Sequence, residues 1–583
     1  MAEQIVSPGV FQQETDQSFI TPAPVEVGAA IVGPTVRGPI EQPTVVSSFA
    51  DYKNKFGTTF VSASQNLEFF TSIAVQKFFS NGGNSMLITR VGSGSFTEAT
   101  STNLSSSASA ITVEPFTLAT LGKGIALNNS TGNGDGGQQF SDSSLTTGSK
   151  DNLRWEISGV NTSAGTFNLT IRRGDDNLNN KIILETFVGC SLDPKADNYI
   201  SKVVGDQFGS PTTMEGQTSI RINGDYPNRS KFVRIKTVGL QTSDYLRNDG
   251  TVSSDLAGIS YSGSLPPAQS GSFHGATGDN IPTDKALLSF ENIASSNSQG
   301  LAASDYTTAL NILENKDEYR FATLTTPGMY NEDYAGTVAA ATALCESRGD
   351  CFYIADMVSY DSTVATVTAE AGELNTNFAG TYWPWVSVPS TELSRNVWAP
   401  ASTVMQGVYA ANDKVAAPWF APAGLNRGGL PIVRTEFKVT QALRDTLYDN
   451  KVNPIATFPR VGPVAYGQKT LQKKASALDR INVRRLLISL KNFIGDTSKN
   501  LVFEQNTTVT RNRFLNAVNP FLESVQQRQG LFAFRVVMDE SNNTADAIDR
   551  NQLVGQIFIQ PTRTAEFIIL DYTIQPTGAT FND

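Results

Sequence analysis

Histidine is almost missing from this chain of 583 residues: there is one, His274. A single histidine excludes His-pair metal sites and leaves any Ser-His-Asp arrangement resting on one residue. It lies in SGSFHGATGDN, a Gly/Ser-rich stretch that reads as a solvated loop. Cysteine is scarce as well. Cys190, Cys345 and Cys351 cannot build a disulfide framework, and the closely spaced last two read as buried free thiols. No GxxxxGK[ST] phosphate loop and no CxxC pair occurs, and GNGDGG at 132–137 lacks the strand-before, helix-after context of a binding loop, so it reads as a surface turn. Acidic residues are scattered, and no carboxylate pair stands out. No run approaches the roughly 20 apolar residues of a membrane helix. Met1–Pro8 has neither a basic region nor an apolar core, which argues against a signal peptide and for a cytosolic protein. Together these gaps disfavour an enzyme and predict no catalytic residues, no metal and no cofactor.

Material for folded cores is plentiful. Hydrophobic residues make up 39% and charged residues 17%, too apolar for a disordered chain. The length predicts several domains. Charge is uneven: residues 431–583 hold 19 Lys+Arg and 14 Asp+Glu, whereas residues 1–430 hold 26 and 41. An acidic body with a basic C-terminal part suggests different surroundings for the two, although surface charge can also drift by chance.

Periodicity divides the chain further. Residues 1–22 read as an extended arm. Residues 23–91 mix strand runs (VEVGAAIVG, SMLITRV) with a helix predicted over 66–79, carrying Phe70, Ile73, Ala74, Lys77 and Phe78. Residues 92–300 are rich in Ser, Thr, Gly and Asn and hold short strand candidates, which predicts one or two β-rich inserted modules. Residues 301–430 alternate helices and strands, with GTYWPWVSV read as one strand, and imply a parallel or mixed sheet covered by helices. Residues 431–562 contain a helix over 477–495 with Val483, Leu486, Leu490 and Phe493 as its buried stripe. A second helix spans 510–530, where Pro520 should kink or split it. The fold class is therefore α/β and α+β, multidomain, with a β-rich insert and extended ends.

Two features suggest contacts beyond the subunit. The run 566–574 is apolar on both alternating faces, with Phe567 and Ile569 on one and Ile568, Leu570, Tyr572 and Ile574 on the other. Such a strand needs neighbours on both sides and can find them within the subunit or in an adjacent copy. Residues 460–535 hold 13 Lys+Arg and four Asp+Glu. Lys469, Lys473, Lys474, Arg480, Arg484, Arg485 and Lys491 form the densest part, which reads either as a docking patch for an acidic partner, with Lys473, Lys474, Arg480, Arg484, Arg485 and Lys491 as the candidate contacts, or as a solvated helix face. Few exposed-looking aromatics and an acidic chain disfavour nucleic acid.

Several segments carry a resemblance. SPGVFQQE (7–14), GPIEQPTVVSSFADYKNKFG (38–57), FFSNGGNSMLITRV (78–91), SLDPKADNYISKVVGD (191–206), RNVWAPASTVMQGVYAANDKVAAPWFAPAG (395–424), LYDNKVNPI (447–455) and the run from Gly530 to Ile574 resemble, in this order, contractile tail sheath proteins of T-even-like bacteriophages. The resemblance implies a virion component, assembled in the host cytoplasm. It would stack as hexameric rings around a tail tube protein, between baseplate and tail terminator proteins, without inserting into a membrane. It implies an arm at each end that completes a shared sheet in a neighbour, with Val10 and Phe11 at one end and residues 563–583 at the other. It also implies a tube-facing domain at 431–562 and outward-facing inserted modules. Contraction would drive the tube through the host envelope. The alternative is a static β-rich adhesin using residues 92–300.

Overall fold

In the computed structural model the described residues are 27–566, except 63, 102–103, 109–110, 129–139, 143, 255–257, 280–289, 291–292 and 295. Apolar, β-branched runs between glycine and proline turns form the strands of an eight-stranded sheet. Its order is Thr44–Val46, Met86–Arg90, Val27–Gly33, Phe321–Tyr330, Phe352–Asp356, Ala379–Trp383, Val452–Phe458, Gly462–Ala465. The six inner strands are parallel, and a short antiparallel strand closes each edge. Met86–Arg90, Phe352–Asp356 and Ala379–Trp383 are buried at every position, as expected of a parallel sheet covered on both faces. Helices Phe70–Ser80, Asn331–Arg348 and Ser402–Val415 pack on it.

The insert leaves this sheet after Met86–Arg90 and returns before Phe321–Tyr330. It folds on itself as a seven-stranded antiparallel sheet in the order Ile183–Ser191, Thr166–Arg173, Leu153–Asn161, Gln269–His274, Glu98–Ser101, Thr117–Lys123, Val233–Thr237. Trp155, Phe167, Leu169 and Phe273 belong to its own core. Two buried arginines tie it to the parallel sheet. Arg90 Nη1 donates to the carbonyls of Gly38 (2.7 Å) and Lys123 (2.6 Å), and Arg37 Nη1 donates to that of Lys150 (3.1 Å). Each guanidinium thereby holds one backbone carbonyl of the insert, Lys123 for Arg90 and Lys150 for Arg37.

Four sequence expectations change. His274 is not a loop residue: it ends strand Gln269–His274 and is buried. The helix over 66–79 begins later, at Phe70, because Gln65–Glu68 pairs with Thr59–Ser62 in a hairpin. GTYWPWVSV is two strands in two sheets, Ala379–Trp383 and Val386–Ser390, since Pro384 has no N–H for a ladder. Pro520 does not split its helix, which runs unbroken from Thr508 to Gln527. The proline is on the exposed side, where water can satisfy the carbonyl that its missing N–H releases.

Candidate assembly surface

The C-terminal part is built around helix Ile481–Lys499, which lies between two cores. Ile481 and Ile488 belong to the core of the parallel sheet. Leu486 and Leu490 belong to a second core with Trp419, Phe514, Val518, Leu522 and Val525. Of the predicted buried stripe, Val483, Leu486 and Leu490 are buried, while Phe493 is partly exposed and stacks on Phe521 at a centroid distance of 3.7 Å.

This double embedding decides the fate of the basic cluster. Arg484 is buried, and its guanidinium sits 3.9 Å from the centre of the Phe378 ring and donates to Asn377 Oδ1 (3.2 Å). Burial pushes its pKa down to about 10. Arg485 is buried too, ion-paired with Asp413 and placed over the Tyr409 ring. Arg480 grips Glu566 with two bonds, Nε to Oε1 at 2.6 Å and Nη2 to Oε2 at 3.0 Å, and also pairs with Asp479. Arg484 and Arg485 are therefore buried with partners inside the chain, whereas Arg480 is half-buried and engaged by Glu566 and Asp479. A helical wheel drawn for one buried face could not register a second one. Lys473, Lys474 and Lys491 are exposed. Lys491 lies along a small cleft with Lys499, Arg320 and Asp496, where Arg320 and Asp496 form a bidentate pair at 2.7 and 2.6 Å.

Helix Thr508–Gln527 supports an antiparallel two-stranded ladder, Leu531–Val537 with Gln556–Pro561. Phe534, Val536, Ile557 and Ile559 pack inward, and Phe532 and Phe558 point out, 76% and 56% exposed. Among the described residues neither outer edge of this ladder is paired. Unpaired N–H and C=O rows beside exposed phenylalanines make a template for an added strand. After Pro561 the chain returns to the body, where Gln468 Nε2 donates to Glu566 Oε1 (3.1 Å) beside the Arg480 grip. No local pattern marks this anchor, since Arg480 and Glu566 are 86 positions apart. Val10, Phe11, Phe567, Ile568, Ile569, Leu570, Tyr572 and Ile574 lie outside the described residues.

The framework that holds this surface also contains acids with altered protonation. Asp356 receives hydrogen bonds from the Ser402 N–H (3.2 Å) and hydroxyl, at the start of helix Ser402–Val415. Burial nevertheless raises its pKa to about 7. Among the described residues no group of three or more His, Cys, Asp or Glu is placed to hold a metal ion. None of the described helices is long and apolar enough to cross a membrane.

The helix pair, the ladder and the exposed lysines fall within one segment that matches a family. Residues 473–575 match the phage tail sheath C-terminal domain. Over 188 residues the chain is 42% identical to the tail sheath protein of Vibrio phage KVP40, covering 32% of this chain and 28% of that one. It is 39% identical over 189 residues to the tail sheath protein of Enterobacteria phage T4, covering 32% and 29%. These matches thus span under a third of the curated relatives' length. Across 88% of this chain and 89% of the other, the fold is that of a sheath tail protein from Listeria innocua, at a TM-score of 0.50 and 10% identity. The segment that matches the sheath C-terminal domain therefore sits on an α/β body whose overall architecture recurs in the Listeria innocua protein.

Proposed function

We propose that this chain is the repeating subunit of a contractile bacteriophage tail sheath, a structural protein rather than an enzyme. The observation that carries this reading is the sheath C-terminal domain over residues 473–575. Subunits stack as hexameric rings around a tail tube protein, with baseplate and tail terminator proteins at the two ends. The particle is a virion tail, assembled in the host cytoplasm.

The geometry supports this reading in two ways. A ladder open at both edges among the described residues accepts a strand from another copy, and residues 567–574 supply an apolar run of suitable length. A head-to-tail contact whose rotation does not close produces a helical array. Contraction then requires two discrete packings of the bodies, with strand-linked arms keeping neighbours connected. In this arrangement residues 431–562 face the tube and residues 92–300 face outward. Lys473, Lys474 and Lys491 offer the tube a positive surface, while Arg480, Arg484 and Arg485 hold the domain together.

Co-expression with the tail tube protein should give long cylinders by electron microscopy. Removing residues 567–583 should leave a folded, soluble protein that forms none. Unchanged cylinders would refute the arm exchange, and a small glycan-binding oligomer in place of cylinders would favour an adhesin.

A further inference from the structure

Helix Asn331–Arg348 ends at Gly349, whose φ of 70° gives the left-handed turn that glycine adopts without strain. The Gly349 N–H returns to the Cys345 carbonyl at 3.0 Å, and three residues later strand Phe352–Asp356 begins. This tight reversal brings the Cys345 and Cys351 sulfurs to 3.2 Å. Both side chains are fully buried in the core of the parallel sheet. The turn between them is held from outside. Arg348 donates to the carbonyls of Leu313 (2.5 Å) and Tyr319 (2.7 Å), forks onto the Asp350 carboxylate, and lies 4.4 Å from the centre of the Phe321 ring.

We propose that Cys345 and Cys351 form a dithiol site that a low-molecular-weight disulfide converts into an intramolecular bond, stapling the helix end to the first residues of the strand. A disulfide sets its sulfurs about 2.05 Å apart, so an approach of about 1 Å from the present contact completes the bond. The thiolate of one cysteine attacks a sulfur of the reagent, such as oxidised glutathione, and one glutathione thiolate leaves. The second cysteine, as thiolate, attacks the mixed disulfide and expels the other. Two protein thiols are oxidised by two electrons, one reagent disulfide is reduced to two thiols, and the two protein protons pass to the departing thiolates. The first step is slow, because burial holds the Cys345 thiol protonated and screened. The second is fast, because its partner is already in contact.

The third cysteine provides an internal control. Cys190 lies in the core of the insert with its Sγ 3.8 Å from the Phe187 carbonyl, and burial pushes its thiol up to about 12. The staple lies beside Arg348 and Asp350, which line the small cleft against helix Ile481–Lys499. Oxidation therefore stiffens the end of the sheet on which that helix rests.

The test is to incubate the purified full chain with oxidised glutathione under native conditions, quench with acid, alkylate in denaturant and map the peptides. The expected result is a linked Cys345–Cys351 peptide, loss of alkylation at both, full alkylation at Cys190, and a higher unfolding temperature that dithiothreitol reverses. Cys351→Ser should instead accumulate a glutathione adduct on Cys345. Stable glutathione adducts on the wild-type pair, or a bond that forms only after denaturant is added, would overturn the proposal. The wild-type map decides even if the variant does not fold.

Discussion

Strand Phe352–Asp356 and strand Gln556–Pro561 are similar in length and in apolar character, and the molecule treats them oppositely. The first is buried at every residue, with a parallel neighbour on each side. The second alternates between exposed and half-buried, has one neighbour among the described residues, and shows Phe558 to solvent. The difference teaches that apolar content alone does not mark a core. What separates the two is whether the rest of the chain supplies both neighbours and both covering layers. Among the described residues the parallel strands of the sheet find both neighbours, and those of the terminal ladder do not.

The comparison can be broken most severely in the sealed sheet. Phe352→Ala removes a large side chain where nothing can move in to replace it, so a loss of about 3–5 kcal/mol is expected by denaturant unfolding. A second, smaller effect concerns the last residue of the same strand. Burial raises the Asp356 pKa from its usual 3.8 to about 7, so the folded state keeps a proton that the unfolded state has released. The stability from this group is full below 3.8 and declines as pH rises to about 7. Asp356→Asn should flatten that slope in unfolding measured across the interval. The smallest change in stability belongs to the open region. Lys473, Lys474 and Lys491 reversed to Glu should shift monomer stability by less than about 0.5 kcal/mol while weakening assembly with the tube, more so at low salt. Arg485→Ala should do the reverse. It leaves Asp413 without its ion pair, costs roughly 2–4 kcal/mol in denaturant unfolding, and affects docking only through that loss. Equal behaviour of the two variants would erase the distinction between inward and outward charge.

Much of the parallel sheet was legible in the sequence, because its strands are short apolar runs bounded by glycine and proline and separated by helical spacing. SMLITRV and CFYIADMV each contain a strand, and so do the described residues of VEVGAAIVG, Val27–Gly33. The insert was legible as β-rich, but its pairing order was not, since Gln269–His274 crosses back beside Leu153–Asn161 over more than a hundred residues. His274 was misread because local Gly and Ser content says nothing of a strand whose neighbours come from elsewhere. The basic cluster was legible as composition only. Whether Arg484 faces water depends on Phe378 and Asn377, and the destination of Arg485 depends on Asp413, all far away in sequence. Periodicity reports one buried face of a helix, and Ile481–Lys499 has two.

The clasp between Arg480 and Glu566 has a mechanical consequence. A pull arriving from beyond residue 566 meets the bidentate pair and the Gln468 bond before it reaches the ladder at 556–561. Bonds loaded side by side must rupture together, whereas a strand tugged from its end unzips rung by rung. The carboxylate thus acts as strain relief, passing tension into helix Ile481–Lys499 and the rigid sheet behind it and sparing the weaker hairpin.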